Sequence, residues 1–507
     1  MSFPRASGIL LHPTSLPGQF GIGDLGKEAY QFADFLASTG QRHWQILPLG
    51  PTSYGNSPYQ CLSVFAGNPL LISLERLVED NFLALADLED LPSFPKDRVD
   101  YGSVIKFKTP LLKKSFETFR KKAALGGREQ FESFCQQNAS WLETYALFMA
   151  LKEARGLAVW NTWEEDVRSR QYKSLEHWCK KLDHEISYHK YQQYQFFKQW
   201  FELKMYCNER GIRLIGDMPI FIALDSAEVW SHPEMFYLDS GGKPTVVAGV
   251  PPDYFSKTGQ LWGNPLYRWD VIARNGYAWW IERFQATHAL VDIIRLDHFR
   301  GFEKYWEVPG MDTTTMSGRW VSGPGDELFE SVQKALGTLP IIAEDLGVIT
   351  PEVDALRDQL GFPGMRVLQF AFGSDPKANE YKPHNYPRNC VVYTGTHDNN
   401  TTVGWFRGSS MEGANQSKEE KKGERQSALK YLGTDGHEIN WDFIRLALMS
   451  VADTAIIPMQ DVLGLGSEAR MNLPGTTEGN WCWRFTPDML TEEIKGRLKE
   501  LTALCGR

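Results

Sequence analysis

Ile293-Ile294-Arg295-Leu296-Asp297-His298-Phe299 reads as a strand buried on both faces that carries its polar groups at its carboxyl end, with Arg300-Gly301 closing the run. Strands of a parallel sheet look like this because helices cover both faces, which removes the alternation of apolar and polar residues. Seven further runs have the same character, at residues 8–12, 44–49, 214–220, 341–346, 365–372, 391–396 and 455–461. Helical patterns separate most of them. Residues 26–38 place Ala29, Phe32, Ala33, Phe35 and Leu36 on one face, and Thr350-Pro351-Glu352 opens residues 351–360 as an N-cap followed by proline at the first position. Repeated strand-then-helix units of this number predict an α/β fold, a closed (β/α)8 TIM barrel, better than an open sheet.

Two connections are too long for simple barrel loops. The one between the second and third strands predicts a mostly helical insertion over residues 52–205, with amphipathic, charge-laced stretches around 106–125, 140–153 and 189–209. The one after the third strand predicts a loop-rich insertion over residues 222–275, rich in Gly, Pro and aromatic residues. A third excursion, 301–325, follows the fourth strand, and the charged segment 409–426 reads as an exposed loop or surface helix. All three insertions leave from carboxyl ends of strands, where barrels of this kind build their sites. One barrel over residues 1–507 is expected, with no separate C-terminal β-domain.

Composition narrows the function. Hydrophobic residues at 42% and charged residues at 23% of 507 describe an ordinary globular chain. No run of eighteen apolar residues exists, and the N-terminal apolar stretch, 8–11, is too short for a signal peptide, so no membrane partner and a cytoplasmic location are expected. Seven cysteines, an odd number without any C-x-x-C pair, read as thiols in a reducing compartment. The net charge of −9 is spread over mixed charges, which excludes a nucleic-acid footprint. Seventeen tryptophans are mostly core material, although aromatic faces also stack on the apolar faces of pyranose rings.

Two motif matches fail on context. Gly21-Ile-Gly-Asp-Leu-Gly26 fits G-x-G-x-x-G, but residues 13–20 separate it from the first strand, and the second strand ends in Pro-Leu-Gly rather than an acid for a ribose. His184 and His189 stand i, i+5, which turns their rings about 140° apart on a helix and prevents a shared metal. No cofactor and no metal are expected, since no other His/Cys/Asp/Glu group has ligand spacing.

Three carboxylates carry the chemistry. Asp297 ends the fourth strand, Glu344 the fifth in Ile-Ile-Ala-Glu344-Asp345, and Asp398 follows the seventh in Gly-Thr-His397-Asp398-Asn399. Each has a plain structural alternative: an ion pair of Asp297 with Arg295, helix N-terminal acids at Glu344-Asp345, a helix cap at Asp398. Their shared position at one end of one barrel favours a common site. Two carboxyl groups about 5–5.5 Å apart are what retaining glycoside chemistry needs, one ionised to attack the anomeric carbon and one protonated to release the leaving oxygen. Arg295 favours the charged form of Asp297, the nucleophile, while Asp345 and the other carboxylates nearby should raise the pKa of Glu344, the acid/base. Asp398 would hold sugar hydroxyls in the transition state, with His298 and His397 placed to bond the same sugar.

At this point the sequence resembles the amylomaltase, or disproportionating-enzyme, family of 4-α-glucanotransferases, relatives of the α-amylase superfamily. The likeness runs end to end, through Gly8-Ile-Leu-Leu-His-Pro-Thr-Ser-Leu-Pro-Gly18, Ser53-Tyr-Gly-Asn-Ser-Pro-Tyr-Gln60, Gly216-Asp-Met-Pro-Ile-Phe221, Gly249-Val-Pro-Pro-Asp-Tyr-Phe255, Gly263-Asn-Pro265, Arg295-Leu-Asp-His-Phe-Arg300, Ala343-Glu-Asp-Leu-Gly347 and Gly395-Thr-His-Asp-Asn399. The resemblance implies transfer of α-1,4-glucan segments between malto-oligosaccharides, or chains derived from starch or glycogen, with glucose as an acceptor. It implies Asp297 as nucleophile, Glu344 as acid/base and Asp398 as transition-state stabiliser. It adds Arg295, His298, His397 and Asp217 as donor-sugar contacts. Tyr59, Trp262 and Phe370 become stacking or subsite residues, and Ser57, Asn264, Asp253, Tyr254 and Phe255 further substrate contacts. Tyr54 and Tyr101 would form a remote glucan-binding surface. One departure follows Phe372, where Gly373-Ser-Asp-Pro replaces an acid-rich start and leaves Asp375 as the stand-in.

Residue-level reasoning alone leaves an α-glucan hydrolase on the same barrel open, since it needs the same three acids. A non-catalytic glucan binder would need the aromatic residues without the acids. A phosphate-binding barrel would show glycines after the seventh and eighth strands. Only the eighth has them, in Gly464-Leu-Gly466. Residues 249–262, with Gly249 and Gly259 flanking a stiff aromatic middle, have the composition of a hinged lid over the mouth.

Overall fold

Every one of the eight apolar runs is a strand of a single parallel sheet. In chain order these are β1 (Ala6–Leu10), β2 (His43–Gln45), β3 (Arg213–Pro219), β4 (Ile293–Asp297), β5 (Ile341–Ala343), β6 (Gly364–Val367), β7 (Cys390–Tyr393) and β8 (Thr454–Pro458). The structure is a computed structural model that describes residues 3–252, 259–408 and 418–507, without the side chains of Tyr54 and Lys418. The neighbours run β6-β7-β8-β1-β2-β3-β4-β5. Between β5 and β6 the Ala343 N–H donates to the Pro363 carbonyl at 2.9 Å, which draws the two outer strands together and rounds the sheet into a barrel. The observed strands stop short of the apolar runs, whose last residues turn into the loops that form the mouth.

Helices cover the outside. Lys27–Ser38 buries Ala29, Phe32, Ala33, Phe35 and Leu36, the face its spacing marks out. Pro351–Gln359 begins with proline at its first turn, although Thr350 makes no side-chain cap bond. Between β2 and β3 lie the long helices Tyr101–Lys122, Leu125–Gln137, Ala139–Ala154 and Asp183–Glu209. In the last of these His184 bonds Glu117 while the buried His189 bonds Gln192, so the two imidazoles serve separate packing roles. Lys418–Leu432 is helical.

The stretch after β3, read from sequence as loops, contains strands. Val246–Val250 and Gln260–Pro265 join Lys304–Pro309 and Arg319–Ser322 from the excursion after β4 in a small antiparallel sheet. Gly249, Gly263 and Pro265 mask the strand pattern in sequence, and the pairing partner lies across β4, where local reading does not reach. This sheet stands at the carboxyl end of β3 and β4 and carries Trp262 and Asn264 toward the mouth. The lid residues Asp253, Tyr254 and Phe255 lie outside the described residues.

Candidate active site

Strand register builds the floor of the site. Asp217 on β3 pairs with Arg295 on β4, so the two side chains share a face of the barrel, and Asp297 shares it two residues on. Arg295 Nη1 donates to Asp217 Oδ2 at 2.6 Å and to Asp297 Oδ1 at 2.9 Å. The Tyr59 hydroxyl, from the loop after β2, donates to the same Asp217 oxygen at 2.9 Å. Burial, then the neighbouring Asp297 carboxylate, pushes Asp217 upward, with Arg295 pulling the other way. The guanidinium of Arg295 is pushed up by Asp217 and Asp297 in spite of its burial. Asp217 has no exposed side-chain surface, whereas Asp297 is 27% exposed toward the mouth. Through Oδ2, Asp217 supports Arg295 and Tyr59.

Glu344 is one residue past the end of β5. The ladder sets Leu296 opposite Ala343, and one further step puts Asp297 level with Glu344 on strands about 4.8 Å apart. Two backbone amides hold the Glu344 carboxylate: His298 N–H donates to Oε2 at 2.7 Å and Leu346 N–H to Oε1 at 2.9 Å. The first requires His298 to take a left-handed backbone (φ 52°), a strained conformation for a residue with a Cβ, which turns the chain at the end of β4 so that its amide faces Glu344. Burial, followed by the Asp297 charge, raises the Glu344 carboxyl to about 8, against Arg295 and the two amides. The direction is the one read from sequence, and of the carboxylates named there Asp297 contributes while Asp345 does not. Asp345 faces away into the β5–β6 seam, where it pairs with Arg357 and Arg366.

The imidazole of His298 is edge-on to Trp262, with centroids 4.8 Å apart. Burial, and then Arg300, holds its pKa down to about 3, so it is neutral at physiological pH. His397 stacks on Tyr59 at 5.2 Å and packs against Trp481, and burial lowers its pKa too, against the pull of Asp398. Its Nε2 lies 3.4 Å from Asp398 Oδ1. Asp398 is the most open of the acids, 47% exposed. It is steered from the loop after β8, where Asn472 Nδ2 donates to Oδ1 at 2.6 Å and Arg470 donates to the Asp398 carbonyl at 2.6 Å.

Asp297, Glu344, Arg295, Asp217, His298, Tyr59, Trp262, His397 and Asp398 thus form one connected cluster. Ser57 and Asn264 reach it through neighbours: Ser57 Oγ accepts from the Tyr59 amide at 3.2 Å, and Gln60 Nε2 donates to Asn264 Oδ1 at 3.3 Å. Phe370 lies past β6, edge-on to Tyr381 at 5.4 Å. Sequence reading missed Asn472, Arg470, Trp481 and Tyr381, whose positions depend on contacts between distant loops. Tyr101 is 8% exposed; its hydroxyl donates to the Trp481 carbonyl at 2.8 Å and its ring packs with Ile22, Val99 and Val104. Asp375 caps a local turn, one of its oxygens accepting the Lys377 amide at 2.7 Å.

Known proteins resemble this chain over essentially its whole length. The glycoside hydrolase family 77 model, described as 4-alpha-glucanotransferase, matches residues 11–491. The 4-alpha-glucanotransferase of Synechocystis is 53% identical, covering 99% of this chain and 98% of its own. That of Thermus thermophilus is 52% identical over the whole of both chains. The structure of the amylomaltase from Streptococcus agalactiae in complex with acarbose superposes with a TM-score of 0.94 at 42% identity, covering 99% of each chain.

Proposed function

This chain belongs to the 4-alpha-glucanotransferases of glycoside hydrolase family 77, and from that premise we propose how its own residues carry the transfer. The enzyme cleaves an α-1,4-glucan donor and passes the released glucanosyl unit to the 4-hydroxyl of an acceptor sugar. In our reading Asp297 attacks the anomeric carbon while the Glu344 carboxyl gives its proton to the departing 4-oxygen, so a glycosyl ester forms on Asp297 as the glycosidic bond breaks. The level placement of the two carboxyl groups fits the separation of about 5–5.5 Å that retention requires.

One observation carries this reading: Asp297 is itself a cause of the raised pKa of Glu344. Before reaction the Asp297 charge keeps the proton on Glu344. Once Asp297 is esterified that charge is gone, the Glu344 proton has left with the donor's reducing end, and its pKa falls. Glu344 is then a carboxylate ready to take the proton of the incoming 4-hydroxyl. The second displacement releases Asp297 and restores the starting state.

The other residues bind and orient. Asp398, exposed and fixed by Asn472, accepts hydroxyl hydrogens of the reacting sugar and favours its developing positive charge. Arg295, itself held by Asp217, sets the Asp297 oxygen. His298 and His397, both neutral, bond hydroxyls of the same ring. Tyr59, Trp262 and Phe370 provide stacking faces, and Ser57 and Asn264 polar contacts beside them. Asp253, Tyr254 and Phe255 sit in the segment whose composition suggests a lid that excludes water and favours a bound acceptor. We take the donors to be malto-oligosaccharides or chains derived from starch or glycogen, and glucose to be an acceptor. Its seven cysteines are free thiols, which fits a reducing compartment, and we place the enzyme in the cytoplasm. No described helix is long and apolar enough to cross a membrane.

Incubation with maltotriose alone tests the reaction. Transfer yields glucose and a ladder of longer oligomers. Glucose and maltose without longer products would mean that water is the acceptor and would overturn the assignment of transfer.

A further inference from the structure

Neighbouring barrel strands are laced by ladders everywhere except between β5 and β6, and β5 is the strand that presents Glu344. One backbone bond crosses the seam there, from Ala343 to Pro363. The next rung is a side chain. Asp345 Oδ1 accepts the Met365 amide at 2.6 Å, and Oδ2 accepts from Arg357, with Arg366 Nη1 at 3.4 Å. The carboxylate is almost fully buried. It comes so close to β6 that a Cβ on Gly364 would lie 2.2 Å from Oδ2, so only glycine fits opposite it. Arg357 reaches it from the helix Pro351–Gln359, which ties that helix to the seam as well.

Consecutive residues at the end of a strand point to opposite sides, so Asp345 grips the seam while Glu344 enters the mouth. The backbone of Glu344 is fixed on the β4 side by two bonds, its N–H to the Leu296 carbonyl at 2.9 Å and the Phe299 N–H to its carbonyl at 3.0 Å. On the β6 side Asp345 is its anchor. Leu346, whose amide orients Glu344 Oε1, is the next residue along.

We propose that Asp345 is a positioning residue for proton transfer: by standing in for the missing β5–β6 rung, together with Arg357 and Arg366, it fixes the direction of the Glu344 carboxyl toward the leaving oxygen. This rests on Glu344 as the acid/base. Glu344 and Asp345 therefore form a pair in which one residue moves the proton and the other holds its aim. Asn at position 345 can still accept from Met365, but its amide group would meet the Arg357 donors head-on, so the anchor loosens with little change of volume.

The test compares Asp345→Asn with Glu344→Gln on two donors, maltotriose and a maltoside with an activated aryl leaving group that needs no proton. Misaiming an acid by a fraction of an ångström costs on the order of 10- to 100-fold in kcat. Asp345→Asn should show that loss on maltotriose, with KM within about twofold of wild type and less than about a threefold loss in the first-turnover release of the aryl group, the step that needs no proton and precedes the work of Glu344 as base. Arg366→Gln, at the rim of the seam, should show a smaller split in the same direction and carries the test if Asp345→Asn does not fold. Equal losses on both donors, or none, while Glu344→Gln shows the split, would overturn the role of Asp345 and leave Glu344 in place. Absence of the split in Glu344→Gln itself would overturn both assignments.

Discussion

Replacing Glu344 with Gln should remove a pH-dependent cost of folding along with most of the activity. The Glu344 carboxyl titrates near 4.5 when the chain is unfolded and at about 8 when folded. Because its pKa is raised by folding, the native state binds the extra proton between those values, and stability falls as pH rises through that window. Below about pH 4.5 the group is protonated in both states and contributes nothing. Each unit is worth about 1.36 kcal/mol, so the penalty is roughly 1 kcal/mol at pH 5 and roughly 4 kcal/mol at pH 8. Since the proton is shared electrostatically with Asp297, a difference of about 2–3 kcal/mol between the two pH values is the expected signal. Gln carries no such term. It has a fixed handicap of about 1–3 kcal/mol instead, because one acceptor cannot serve both the His298 and Leu346 amides. The slope with pH is therefore the observable. With an unfolding entropy near 2.1 cal/mol/K per residue over 507 residues, the variant should gain about 2–3 °C in Tm on the wild type between pH 5 and pH 8. Tryptophan fluorescence during thermal and urea unfolding at both pH values measures it. A gap between variant and wild type that stays constant with pH, or that closes in favour of the wild type as pH rises, would refute the reasoning.

Asp297→Asn should keep the fold and lower kcat by at least about a thousandfold, as loss of a covalent nucleophile does; a variant with a tenth of the activity would remove Asp297 from that role. Asn472→Ala frees the Asp398 carboxylate and should lower kcat/KM about tenfold, the worth of one hydrogen bond to a charged group, and unchanged kinetics would show that Asp398 needs no steering. Tyr254→Ala with Phe255→Ala should raise hydrolysis relative to transfer, measured as reducing-end release against glucose release from maltotriose, and an unchanged ratio would mean that this segment does not exclude water. His298→Ala should leave the acidic limb of the pH–rate profile in place, because His298 stays neutral down to about pH 3, while lowering kcat/KM; a shifted acidic limb would contradict that environment.

The barrel was legible because parallel strands are buried on both faces, and runs such as Ile341–Ala343 and Cys390–Tyr393 therefore have no polar interruptions. The small sheet was not, because Val246–Val250 finds its partner in Lys304–Pro309, across an intervening barrel strand, and its glycines disguise the pattern. At the site, the acids at strand ends could be read directly, since strand period fixes that Arg295 and Asp297 share a face. The part given to Asp345 could not: sequence adjacency suggested that it raises the Glu344 pKa along with the other carboxylates, while the fold turns Asp345 into the seam and leaves burial and Asp297 as the causes. Asn472 reaches Asp398 from a different loop, a contact that no local pattern encodes.

Transfer with retention through this site requires a covalent bond between Asp297 and the donor sugar. Glu344→Gln incubated with α-maltotriosyl fluoride can form the ester, because fluoride leaves without a proton, but lacks the base to pass it on. Proteolysis and mass spectrometry should then find the maltotriosyl mass on the peptide containing residues 293–299, at Asp297. The same mass on a peptide lacking Asp297, or fluoride release without any adduct, would contradict the central claim.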